Sequence, residues 1–521
     1  MKNARITATD IYRYIQCPHW PFYERFATPV EKKLKRKITE GEEKRMENGV
    51  LHELEVVEER FSGQEIVEVP FTRDAEKDFA ATLAVMKKGA RWIYQGTLLS
   101  GDLTGRPDLL ERREGASALG GWYYVPVDVK SSHEIQKYQK LQLAFYAKLL
   151  DDAQGRYPDT AAIINIDRDP LPFDPAGSRE ELEDLLERLR ALCAGDKPAP
   201  VLRKTCFDTG VWGEVCKKYA EKTNDIALLF NVSTPKLEAL RSLGVKTVDD
   251  AADMDPDALA GAAKGLTLHG LDTIKRQAIS LKTKEVIIRK PVEITTLGLE
   301  IHFDIESDPP NDRDYLYGFL IRHPSGEKEY TPFVAESLEQ EGTMWRSFLA
   351  WLETLPPEYT VYHFAPYETS RLRVMIERYG GSHWLDLFMS RMVDLKEIFI
   401  HSITIPEYFY GLKYICRFLG FDWRSDVASG GASVDAFEKY LETGDRAILD
   451  SIILYNEDDV RATEFLLRWL ETYAREVTSY EKPYPFSIPP LSARSVFLTP
   501  ISTPIVVNSL PWYGVAVNRI R

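Results

Sequence analysis

Apolar and polar positions change their period several times along the chain, and each change marks a change of architecture. Residues 1–60 place Tyr12, Ile15 and Tyr23 among charges at helical spacing. From 65 to 130 the apolar residues fall in short alternating runs, EIVEVPF, GTLLSGDLTGRPDLL and GWYYVPVDVKSS, which predict strands joined by turns. Helical spacing returns over 134–150, and IINID at 163–167 predicts another strand, so a mixed α/β unit extends to about 195. Residues 196–220 read as an irregular, cationic, cysteine-bearing segment, and 221–285 as short helices with tight turns. At about 296 three strands follow one another, LGLEIHFDIES, DYLYGFLIRH and EYTPFV, then the amphipathic helix LEQEGTMWRSFLAWLETL, the strand VYHFA, and helices to 474. The expected units are therefore 1–195, 196–220, 221–285, 296–475 and a Pro- and Ser-rich tail at 476–521 that wraps a surface or belongs to an interface.

Composition agrees with a multidomain globular protein: 521 residues, 44% hydrophobic and 28% charged. No run approaches the ~18 apolar residues of a membrane span and none resembles a signal peptide, which predicts a cytoplasmic protein with no membrane partner. Five cysteines are too few for a disulfide framework, so they are buried apolar residues or ligands. The net charge of −14 argues against coating nucleic acid through bulk charge. It leaves room for metal-binding carboxylates and for a local basic groove, expected at 31–37, 203–222 and 282–290.

The first chemical constellation lies in the N-terminal half: Gly49 and His52 in GVLHE, Asp108 in GRPDLL, Asp128 and Lys130 in VDVKSS, Gln142 and Tyr146 in QLAFY. Residues two apart on a strand share a face, so Asp128 can hold a metal beside Lys130. A metal on Asp108, Asp128 and an imidazole would polarise a phosphodiester and acidify a bound water, with Lys130 positioning that water or stabilising developing charge. Gln142 and Tyr146, at i and i+4, share a helix face from which they can contact substrate or orient the lysine. Taken singly, each fragment has an ordinary reading: a surface ion pair, a satisfied histidine, a solvated helix face. Their joint order, GxxxH, GxPD, DxK, QxxxY, resembles the RecB-type branch of the PD-(D/E)XK nucleases over about residues 5–220. The resemblance implies His52, Asp108 and Asp128 as ligands of Mg²⁺ or Mn²⁺, Lys130 as catalytic, and Gln142 with Tyr146 as support.

Many RecB-type nucleases also carry an iron–sulfur cluster on one early and three later cysteines. Cys17 fits the early position and Cys206 and Cys216 follow the nuclease core, but the C-x₂-C-x₅-C grouping is absent, with Gly210 or its neighbours where a middle cysteine belongs. Cys193 is the candidate fourth thiolate of a [4Fe-4S] cluster. The other reading is structural cysteines or the remnants of a lost site.

In the second constellation Asp304 and Glu306 share a face of the strand FDIES, and Tyr455 and Asp459 share a face of the helix YNEDDV, with Glu368 between them in sequence. Two-metal phosphodiester hydrolysis needs such converging carboxylates, and a tyrosine to position the water; solvated strand-end acids and a helix-surface charge run are the ordinary alternatives. Together the motifs resemble the tyrosine-bearing DEDD exonucleases of the RNase H-like fold. Asn456 and Asp458 are lesser candidates, Glu368 stands where aspartate is usual, and Asp394 and Lys413 fall in segments similar to those between the second and third motifs. Asp394 also reads as a helix cap.

The order of units resembles RecB-type nucleases with a YprB-like RNase H arrangement, over roughly 5–475. The 221–285 unit resembles a helix-hairpin-helix whose Leu-Gly-Val turn would offer backbone N–H groups to phosphate. The implied fold is α/β multidomain: a restriction-endonuclease-like PD-(D/E)XK domain, a helix-hairpin-helix-like linker and an RNase H-like domain. The implied activity is metal-dependent cleavage of single-stranded or end-bearing DNA in repair, recombination or defence. The rivals are a nucleic-acid-binding scaffold, with one or both sites degenerate, that recruits a helicase or polymerase, and an RNA-processing exonuclease. The chain has no Walker-type phosphate loop, so any helicase would be a separate partner.

Overall fold

The computed structural model describes residues 5–477 apart from 209, 310 and 428; the Pro-rich segment from 478 onward lies outside the described residues. Its N-terminal part is a mixed sheet of six strands in the order Ile66–Glu68, Trp92–Tyr94, Leu109–Ser117, Gly120–Val129, Ala161–Ile164, Pro170–Phe173. The central pair, Leu109–Ser117 and Gly120–Val129, is antiparallel, whereas Gly120–Val129 and Ala161–Ile164 run parallel, as a crossover through helix Lys137–Gln154 requires. That helix buries Leu141, Ala144, Phe145 and Leu149 in a core shared with Leu182, Leu186 and Leu189 of helix Arg179–Ala194. The expectation of strands alone between 65 and 130 misses helix Ala75–Lys87. Asp74 caps it through Lys77 N–H, and its buried residues Asp78, Thr82 and Met86 recur every four positions. Two of those three are polar, which hid the period.

The 196–220 segment is less irregular than expected, because Gly213–Lys222 is helical. Residues 226–283 form the small helical body, with Leu237, Leu240, Val248, Leu271 and Ile274 in its core. Helices Thr234–Ser242 and Val248–Asp253 make a hairpin around Gly244, at φ +90°. The Leu-Gly-Val turn does not present free amides: Leu243, Gly244 and Val245 N–H groups donate to carbonyls of the preceding helix, and Lys246 and Thr247 N–H groups donate to Asp250. The expected phosphate contact is therefore closed off in this geometry.

The C-terminal part holds a five-stranded sheet ordered Lys328–Val334, Arg313–Arg322, Leu299–Asp308, Tyr359–His363, Met392–Asp394, antiparallel on the first side and parallel on the second. The fifth strand, Met392–Asp394, lies where helices alone were expected; at three residues it is too short to show alternation. Along Leu299–Asp308, Ile301, Phe303 and Ile305 face an aromatic core with Phe319, Trp345, Phe348 and Phe388. Asp304 and Glu306 thereby face the opposite side, toward the 28-residue helix Arg446–Tyr473. Asp394 caps helix Leu395–Ser402, accepting from Lys396 and Glu397 N–H, which is the capping reading of that residue.

The parts touch at several places. Phe230 of the helical body stacks on Tyr410 at 4.1 Å between centroids. Arg45 of helix Glu40–Phe61 pairs with Asp435 at 2.9 Å and Glu438 at 3.5 Å, both on helix Gly430–Thr443.

Candidate active sites

Asp128 ends the central strand of the six-stranded sheet and Asp108 immediately precedes the neighbouring strand, so pairing of the two strands brings the carboxylates together. Asp108 N–H donates to Asp128 Oδ1 at 3.2 Å, and Val129 N–H to Asp108 Oδ2 at 2.8 Å. Lys130 Nζ stands between them, 3.0 Å from Asp128 Oδ2 and 3.5 Å from Asp108 Oδ2. Burial, and then the Asp128 charge, push the Asp108 carboxyl up to about 7. Burial alone would pull Lys130 down, but Asp128 and Asp108 more than offset it and hold the ammonium above its usual range. Gln142 Nε2 donates to the Tyr146 hydroxyl at 3.0 Å, and Tyr146 feels the Asp128 charge, so this helix face backs the site.

His52 lies on helix Glu40–Phe61 with Nε2 buried and without a hydrogen-bond partner. Among the described residues, His52, Asp108 and Asp128 do not bring three donor atoms within 4.8 Å of one another. The next residue, Glu53, which the motif reading passed over, accepts from Tyr94 and Gln95 and adds its charge to the field on Asp108. Gln95 N–H in turn bonds the Asp108 carbonyl at 2.9 Å. The only sequence signal for Glu53 was its adjacency to the histidine.

In the second site Asp304, Glu306 and Asp459 do converge, with carboxylate oxygens within 4.8 Å of one another. Burial and then the neighbouring carboxylates raise them: Asp304 well above its usual range and Glu306 to about 8. Burial takes Asp459 to about 6, with Lys413 and Trp423 opposing it. Asn456 Nδ2 donates to Asp304 Oδ2 at 2.8 Å, and the Trp423 indole N–H to Asp459 Oδ1 at 2.6 Å. The Tyr455 hydroxyl is hydrogen-bonded to Asp459, and Lys413 Nζ lies 4.0 Å from the centre of the Tyr455 ring. Ser433 hydrogen-bonds Glu306. Glu368 is buried close enough to raise Asp304 and Glu306 but stands outside the trio, 3.3 Å from His363 Nδ1. Asp458 belongs elsewhere, bound to Arg424 at 2.7 Å. Trp423 and Ser433 carry no motif and were invisible in the sequence.

Residues 16–206 match the PD-(D/E)XK nuclease superfamily, and residues 301–471 the RNase H superfamily. The chain joins two nuclease-superfamily domains. A search of the curated proteins returns no match. The α/β multidomain architecture thus combines a PD-(D/E)XK domain and an RNase H-like domain, and both superfamilies typically hydrolyse phosphodiester bonds in nucleic acid with divalent metal ions. No helix among the described residues is long and apolar enough to cross a membrane.

The donor sets of the two domains suit such a cation. Asp304, Glu306 and Asp459 offer only oxygen, the donor hard divalent ions prefer, in a pocket where three negative charges cannot coexist without a counter-ion. At the PD-(D/E)XK site Asp128 Oδ2 is buried and accepts no well-directed hydrogen bond, despite its ion pair with Lys130. The four-cysteine cluster fits less well. Cys17, Cys206 and Cys216 share one small core, but Cys193 packs against the main nuclease-domain core, in the field of Arg25 and Asp10. The candidate fourth thiolate is thus turned toward a different part of the fold. The basic runs are partly spent as well: Arg36 pairs with Glu42, Lys35 with Glu24, and Arg289 donates to the Ile400 and Ile403 carbonyls.

Proposed function

We propose that this chain is a metal-dependent DNA nuclease with two catalytic sites, acting on single-stranded or end-bearing DNA in repair, recombination or defence. The observation that carries the reading is the convergence of Asp304, Glu306 and Asp459, from a strand and a helix about 150 residues apart, into one oxygen cluster with Glu306 and Asp459 buried and Asp304 half-buried. A Mg²⁺ or Mn²⁺ ion there, and another at Asp108 and Asp128, would polarise the scissile phosphate and acidify a bound water. Tyr455, tied to Asp459, is placed to orient the attacking water, and Lys413 beside it to offset charge on the phosphate. In the first site Lys130 fills that electrostatic role, with Tyr146 and Gln142 behind it and His52 and Glu53 as further ligand candidates.

The test is cleavage of single-stranded, duplex and flapped DNA, and of RNA, with Mg²⁺ or Mn²⁺ and with chelator, by wild type and by Asp128→Ala and Asp304→Ala separately. Each variant is expected to lose one component of metal-dependent DNA cleavage. Preference for RNA ends would move the reading to RNA processing. Tight DNA binding with no cleavage by wild type would replace it with the scaffold that recruits a helicase.

A further inference from the structure

Outside both oxygen clusters, four soft donors meet beneath the N-terminal helices. Cys17 and His19 flank Pro18 in the turn between helices Ala8–Gln16 and Trp20–Phe26. Cys206 and Cys216 lie on the short helices Thr205–Asp208 and Gly213–Lys222. All four are at most 1% exposed. Cys17 Sγ is 3.7 Å from Cys216 Sγ, and the donor atoms of Cys17, His19 and Cys216 lie within 4.8 Å of one another. Cys206 adjoins them through the Cys17 thiol, with its own sulfur outside the 4.8 Å trio.

The histidine gives an independent sign. His19 Nε2 lies 3.0 Å from the Pro198 carbonyl, an acceptor, so Nε2 carries the proton and Nδ1 carries the lone pair. That Nδ1 is buried and has no hydrogen-bond partner. An imidazole beside two thiols, with its N–H fixed by a backbone carbonyl and its other nitrogen buried without a partner, has the arrangement of a metal-ligating histidine. An apolar core would instead leave that nitrogen's desolvation uncompensated.

The sulfur separation is compatible with one shared ion. Two thiolates each about 2.3 Å from one tetrahedral zinc stand about 3.8 Å apart, close to the Cys17–Cys216 separation. A [4Fe-4S] cube binds each of its four thiolates through a different iron, which holds the sulfurs apart around the cube.

We propose that Cys17, His19, Cys206 and Cys216 bind a single zinc ion, a Cys₃His site that fastens the N-terminal helices to the segment following the PD-(D/E)XK sheet. The thiols lose their protons on binding and the imidazole binds neutral, so no redox chemistry is involved. The site lies outside both oxygen clusters and does not depend on either being active.

The test is elemental analysis of the full chain purified in thiol reductant, with Co²⁺ replacing the native metal for spectroscopy. About one zinc per chain, released by a thiol-modifying reagent, and a Co²⁺ spectrum with thiolate charge-transfer and tetrahedral visible bands are expected. Cys216→Ser and His19→Ala should lower the zinc content and Cys193→Ser should leave it unchanged. Because ligand variants can misfold, the wild-type metal content and Co²⁺ spectrum decide alone. Iron with acid-labile sulfide, or wild-type protein that holds neither zinc nor Co²⁺, overturns the proposal.

Discussion

Asp304→Asn should stabilise the metal-free protein at pH 8 and destabilise it relative to wild type in Mn²⁺. The carboxylate oxygens of Asp304, Glu306 and Asp459 lie within 4.8 Å of one another. Two unit charges at that distance repel by roughly 3.5 kcal/mol at an effective dielectric near 20. The folded wild type avoids this by keeping protons, with Asp304 well above the usual range and Glu306 at about 8. A carboxyl raised in the folded state binds protons that the unfolded chain has already released above about pH 4.5, so metal-free stability falls as pH rises toward 8. Asparagine removes one charge and its two repulsions and keeps the shape. Since burial and the neighbouring carboxylates already raise the Asp304 carboxyl toward its neutral form, only part of the Coulomb figure is recovered, about 1–3 kcal/mol at pH 8. The gap should close toward pH 5, where the cluster is protonated in either protein. In Mn²⁺ the order reverses, because wild type gains about 2.7 kcal/mol at a hundredfold excess over Kd and the variant has lost a ligand. Thermal unfolding in chelator at pH 5 and 8, and in Mn²⁺, reads this at roughly 2–4 °C per kcal/mol for a domain of this size. A variant less stable than wild type in chelator at pH 8, or equal stabilisation of both by Mn²⁺, would refute the charge-cluster argument.

Three further outcomes test how the sites are held. Gly318 pairs with Asp304 across the antiparallel strands, and a methyl there would run into Asn456 Oδ1 and approach Tyr330 OH to 3.0 Å. Gly318→Ala should cost about 1–3 kcal/mol by overpacking and abolish the Asp304-dependent cleavage while sparing the Asp128-dependent one. Gly105→Ala should do the converse, since its Cβ would sit 2.8 Å from the Tyr146 ring and 2.9 Å from Leu149; separate activity assays in the Asp128→Ala and Asp304→Ala backgrounds check both. Lys130→Met removes the cation that holds Asp108 down from a still higher value, so Mn²⁺ affinity at the first site, measured by calorimetry between pH 6 and 8, should fall most at the acid end, with cleavage reduced about 10²–10³-fold.

The residues of the second site were legible where they obey local periodicity, as Asp128 and Lys130 do in the first. Asp304 and Glu306 are two apart on a strand, Tyr455 and Asp459 four apart on a helix, and the apolar residues between them fix which face each takes. Glu368 follows no such rule: it lies on a separate helix, Tyr367–Tyr379, whose placement depends on tertiary packing, and His363 engages it. The same limit hid Trp423 and Ser433, which reach Asp459 and Glu306 from outside any motif. Helix Ala75–Lys87 and strand Met392–Asp394 escaped for different reasons, the first because its buried stripe is largely polar and the second because three residues show no period. Motif spacing also cannot say which side of a helix turns inward, and this is why Glu53 beside His52 went unread.

The net charge of −14 acquires a different meaning once the acids are placed. Several of them are taken up in ion pairs within the fold: Asp10 holds Arg25 at 2.9 Å, Asp314 and Asp312 hold Arg371 at 2.7 and 2.6 Å, and Glu341 holds Arg378 at 2.9 Å. Others are concentrated in the two oxygen clusters, Asp304, Glu306 and Asp459 in one and Asp108 and Asp128 in the other. Helix Glu40–Phe61 ties those clusters into one body. It carries Glu53 toward the first and, about two turns earlier, Arg45 against Asp435 and Glu438. The helix that bears Asp435 also bears Ser433, which bonds Glu306 of the second cluster. Arg45 and Lys44, which pairs with Glu442, thus join the helices that adjoin the two acidic sites, and the formal charge of the whole chain says little about the field a nucleic acid would meet at either one.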